Sequence, residues 1–73
     1  MQRFTLGQRV VFADSDDRLA GRRGVVHRLR IQDDGAIIRM DDPLPDDMAR
    51  FPADDPRARD LLAYPDECEE APV

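Results

Sequence analysis

Seventy-three residues make one small domain, too short to wall a deep catalytic cleft once a core is built, so an enzyme is not expected. Its single cysteine, Cys68, excludes an internal disulfide framework, and no run approaches the ~20 apolar residues of a membrane span. The net charge of −5 is unevenly spread: residues 1–31 carry seven arginines against three aspartates (+4), residues 32–73 carry four arginines against thirteen acids (−9), and lysine is absent.

The opening Met-Gln-Arg-Phe-Thr-Leu-Gly lacks the apolar core of a secretory signal, so a cytoplasmic location is expected. Phe4-Thr-Leu6 alternates before Gly7, and the apolar run Val10-Val-Phe12 predicts a first strand over 9–13. The polar residues 14–21 predict a loop. A second strand is predicted from 24 to 32, with Val25, His27, Leu29 and Ile31 on its apolar face and Val26, Arg28 and Arg30 on the other. Asp34-Gly35 between apolar runs is a hairpin signal, and Ala36-Ile-Ile-Arg-Met-Asp41 is the return strand. Gly21 and Gly24 are expected to supply positive φ where the chain turns into a strand.

All six prolines lie beyond Asp42, and residues 43–60 read as a loop-rich insertion with one helical turn over 46–51. The next stretch allows two readings. Asp55-Pro56 is a sound helix start, while Leu61-Leu-Ala-Tyr64, stopped by Pro65, suits a closing strand. The strand is preferred, with a tight turn at 65–67 and a last short strand at 68–70. The expected core is Val10, Phe12, Val25, Leu29, Ile31, Ile38, Met40, Leu62 and Cys68.

Gly7-Gln-Arg-Val-Val-Phe12, an acidic loop, Gly21-Arg-Arg-Gly24-Val-Val26, Asp34-Gly35 and the Ile-rich strand resemble the small Src-homology-3-like barrels, and among them the KOW-type modules. The ending Tyr64-Pro-Asp-Glu-Cys-Glu-Glu70 is similar to that of small bacterial and phage domains of this shape, where the position of Cys68 is an apolar core residue. The resemblance covers residues 4–42 and 61–70. It implies an all-β fold, a five-stranded barrel with the Pro/Asp-rich loop inserted before the last strands. It also implies binding of protein or RNA.

Three functions are compatible with these residues. The first is a non-enzymatic protein-interaction module, with Met48, Phe51 and Pro52 of the long loop as anchors, although Phe51 can equally cap the core. The second is nucleic-acid binding through a patch of Arg18, Arg22, Arg23, Arg28, Arg30 and Arg39, unless the acidic half folds back to pair with them. The third is an acidic inhibitor whose carboxylates imitate phosphates. Aspartate pairs serve as turn formers, and the Asp14-Ser-Asp-Asp-Arg18 run does not meet a calcium-loop pattern, so neither a metal nor a cofactor is expected. His27 and Ser15 have no catalytic partner in the pattern, and the acids around Cys68 disfavour its thiolate. Exposed sheet edges leave room for a homodimer.

Overall fold

The computed structural model describes residues 3–12 and 18–72. The predicted loop therefore falls outside the described residues up to Asp17, including Ser15 with Asp14, Asp16 and Asp17. Five strands form one antiparallel sheet: β1 (Arg9–Phe12), β2 (Arg22–Leu29), β3 (Ala36–Met40), β4 (Asp60–Ala63) and β5 (Glu69–Glu70), in the order β4-β3-β2-β1-β5. A short 3-10 helix, Pro56–Arg59, precedes β4. The chain is all-β in its extended elements, as expected. Among the described residues no helix is long and apolar enough to cross a membrane.

The sheet has one buried face. Val10 and Phe12 of β1, Val26 of β2, Ala36, Ile38 and Met40 of β3, and Ala63 of β4 join Phe4, Leu19, Leu44 and Cys68 in a single apolar cluster. Burial of such side chains contributes roughly 25 cal/mol per Å² of apolar surface removed from water, the main term holding so small a fold together. The cluster contains no buried polar or charged residue. The Cys68 thiol, enclosed by it and placed beside the Glu67 charge, is pushed up to about 11. Burial is the larger cause, because it penalises the thiolate.

The turns follow from residue chemistry. Arg22 N donates to Leu19 O (2.9 Å), and Gly21, third residue of that turn, sits at φ +77°, the backbone that a type II turn demands there. Gly21 N also donates to Phe12 O at 2.7 Å, tying the end of β1 to the start of β2. Gly24 differs from the expectation. Its φ is not positive, and its role is steric: a Cβ there would stand 2.7 Å from Ile38 Cγ2 and 2.9 Å from Arg39 O. Between β2 and β3 the hairpin is closed by Arg30 N donating to Gly35 O, while Asp33 Oδ1 accepts from Gly35 N. An aspartate side chain thus shapes the bend in place of a two-residue primed turn.

The central correction concerns β2. Val26 pairs with Ile38, but the next pair is Arg28 with Ile37, so His27 is an extra residue in a β-bulge. Alternation read straight through 25–31 therefore fails. Gly24 and Val26 face the core, Val25 is half-buried on the other face, and His27 is exposed. Leu29 is 44% exposed, and Ile31, beyond the end of the strand, is fully exposed. The expected core loses Val25 because β2 turns Gly24 and Val26 inward, and it loses Leu29 and Ile31 because they lie at and beyond the end of the strand. Leu62 also leaves it, at 39% exposure, because Asp60 lies opposite the outward Arg39 and sets the phase of β4 so that Leu61 and Ala63 turn inward.

Both readings of the segment before β4 hold in part. Asp55 caps the 3-10 helix, accepting from Arg57 N at 2.9 Å with Pro56 in the first turn. The strand then begins at Asp60. The predicted helical turn survives as a bend in which Met48 N and Ala49 N both donate to Pro45 O. Glu67 N donates to Tyr64 O and closes the tight turn, after which β5 pairs with β1.

Candidate functional site

The outward face of β2, β3 and β4 forms one wall of a groove. Its residues follow from the register: Arg28 opposite Ile37, Ile37 opposite Leu62, and Arg39 opposite Asp60. Without the extra residue at His27, Arg28 would take the inward phase of Val26. The bulge brings it outward beside Ile37. Arg39 and Asp60 are joined by two hydrogen bonds, at 2.8 and 3.1 Å, and that contact with Asp60 raises the Arg39 pKa. Two parallel bonds between planar groups fix the geometry of both side chains.

The other wall is the chain over 47–51. After the bend at Pro45, Met48 and Ala49 pack half-buried against the core cluster, which anchors this segment to the sheet. Arg50 and Phe51 follow at the groove. Phe51 is half-buried and lies outside the core cluster, so it does not cap the core. Instead the Arg57 guanidinium stands over its ring at 4.2 Å from the centroid, within cation–π range. Arg57 is itself gripped by Asp55, with Nη2 to Oδ2 at 2.7 Å and Nε to Oδ1 at 3.1 Å. The groove so enclosed has a volume of about 700 Å³ and is lined by His27, Arg28, Ile37 and Arg39 from the sheet, Asp60 to Leu62 from β4, and 47–51 with Arg57 from the loop.

The clamp on Phe51 is an electrostatic device with a testable signature. Hydrogen bonds from the Arg57 side chain and backbone, in that order, lower the Asp55 carboxyl from 3.8 to about 2. A depressed folded-state pKa contributes stability that is complete above the unfolded value, near 3.8, and is lost as pH falls through about 2. The Asp55 carboxyl carbon, followed by NMR, is expected to titrate near 2. In Arg57→Ala its midpoint should rise toward 3.8; an unmoved midpoint would show that Arg57 does not hold it.

The six arginines expected to make one basic patch are dispersed. Arg28 and Arg39 line the groove, whereas Arg30 lies past the end of β2 in a second, smaller depression with Arg3 and Phe4. Arg22 and Arg23 open β2, where consecutive side chains take opposite faces, and Arg18 lies in the turn before them. Much of the set is engaged: Arg18 pairs with Asp47, Arg30 with Asp33 at 3.4 Å and Arg39 with Asp60, while Arg22 donates to Pro43 O. The acidic half does fold back on these arginines. Of the loop anchors, Met48 and Phe51 reach the groove and Pro52 is exposed outside its lining. Arg50, Arg57, Ile37 and Leu62 were not singled out from the sequence as site residues. The Asp55-to-Arg57 spacing beside a proline is the available signal for the clamp; Ile37, between the inward Ala36 and Ile38, follows from the alternation of β3, whereas Leu62 is expected in the core and nothing in the pattern marks Arg50. Among the described residues no three His, Cys, Asp or Glu side chains converge as a metal site would require. No family model, no curated protein and no solved structure matches the chain, so this site is read from its own geometry.

Proposed function

We propose that the chain is a non-enzymatic interaction module of Src-homology-3-like shape, which holds a protein segment in the groove between the β2–β4 face and residues 47–51. The five-stranded antiparallel sheet with one buried face, and β5 returning to pair with β1, support that shape. The observation that carries the function is Phe51: a large ring kept out of the core and held in place by the Arg57–Asp55 clamp over a partly apolar wall. Aromatic side chains fixed before binding lose little freedom on complex formation and supply much of the affinity of small interfaces. The nucleic-acid reading has less support, because its arginines are divided among separate surfaces and three of them already hold aspartates.

The test is affinity capture from nuclease-treated lysate with the wild-type chain and with Phe51→Ala. Phe51→Ala should stay folded, since the ring is outside the core cluster, and should lose a partner that the wild type retains. Equal capture by both proteins, or capture that disappears with nuclease treatment of the wild type, would overturn the proposal.

A further inference from the structure

The charges around the groove are not balanced, and the imbalance identifies what it takes. Its lining includes four arginines and two aspartates. Arg39 is matched by Asp60, Arg57 by Asp55 and Asp47 by Arg18. That leaves Arg28 and Arg50, both exposed, and neither has an ion pair or side-chain hydrogen bond among the described residues. The groove is therefore locally cationic on a chain whose net charge is −5. The same lining holds the half-buried Ile37 and Phe51 and the more exposed Leu62.

We infer that the occupant of this groove is a short acidic segment of a partner protein, with an apolar side chain seated on Ile37, Leu62 and Phe51 and carboxylates meeting Arg28 and Arg50. This rests on the groove being the interaction site. Guanidinium forks take carboxylates in paired hydrogen bonds, and such charge-assisted bonds are the stronger kind. A long polyanion fits poorly by the same accounting. Its many phosphates would meet a chain of net charge −5, with Asp46 exposed and next in sequence to the lining residue Asp47.

Two degenerate peptide libraries with a fixed central leucine, one flanked by Asp/Glu and one by Lys/Arg, together with labelled oligouridylate, provide the probes. They would be bound in parallel to the wild type, to Arg28→Glu/Arg50→Glu and to Phe51→Ala. The wild type is expected to retain acidic peptides about tenfold more strongly than basic ones, and the double charge reversal should invert that preference. Leucine peptides held with no preference of sign, still lost in Phe51→Ala, would overturn the acidic occupant and leave the groove standing. Binding of no peptide, or binding indifferent to Phe51→Ala, would overturn the groove itself. Oligouridylate bound more tightly than either library would overturn both in favour of nucleic acid.

Discussion

Gly24→Val is expected to abolish folding, and Gly24→Ala to lower the melting temperature. Gly24 lies in β2 between Val10 on β1 and Met40 on β3, in the buried face of the sheet. A single Cβ would come within 2.7 Å of Ile38 Cγ2, 2.9 Å of Arg39 O and 3.1 Å of Met40 Sδ. The side chains could give way in part, but Arg39 O belongs to the ladder and can move only with the strand. Overpacking of this kind costs typically ~1–3 kcal/mol, and valine adds two further methyl groups. A core in a chain this size rarely supplies more than ~3–5 kcal/mol in total. The sign is informative. Glycine inside an open strand is a weak point that alanine would improve, by roughly 0.5–1 kcal/mol. Here close approach should reverse that sign. Thermal melts followed by circular dichroism decide the matter: an unchanged or raised melting temperature in Gly24→Ala would show that the strands are not packed so tightly at this point.

Much of this architecture is legible in the residues, and what is not has a local cause. Strand β1, the hairpin at 33–35, the closing strand near 61 and the turn at 65–67 announce themselves through apolar runs and turn chemistry. The bulge at His27 does not, because an inserted residue leaves the composition of a strand unchanged while shifting its phase. Isolated apolar residues in polar surroundings are equally hard to place. Leu19 and Leu44 read as parts of loops and Phe4 as part of a short alternating stretch before the first strand, yet all three are buried, since a thin sheet must recruit its cover from its connections. The candidate groove was half legible. Met48 and Phe51 stood out as large apolar residues in a proline-rich segment, but their opposite wall depends on the register of β2 and β4. The missed core comes from the phase of β2, which turns Val26 and not Val25 inward, and from a strand that ends at Leu29. The same bulge that spoils the alternation presents Arg28 beside Ile37 on the outward face, and bulges commonly serve to re-aim a side chain in this way.

Paired aspartate substitutions test that register directly. Val26→Asp is expected to leave the chain unfolded, whereas Ile31→Asp should melt as the wild type does. Val26 is 1% exposed and packed in a cluster without any polar or charged member, so a carboxylate there would find no partner. The isolated charge would have to be neutralised or left buried at a cost of several kcal/mol, comparable with the whole stability of so small a domain. Ile31 is fully exposed beyond the end of β2, and substitutions at such sites usually stay within about 0.5 kcal/mol. Alternation with Val25, His27, Leu29 and Ile31 inward, the phase expected from the sequence, requires the opposite ranking, with Ile31 in the core and Val26 facing solvent. The two registers thus differ in the sign of a large effect, and amide chemical-shift dispersion in the two variants is enough to read it. A folded Val26→Asp alongside an unfolded Ile31→Asp would overturn the inward phase of Gly24 and Val26, and with it the close packing argued for Gly24.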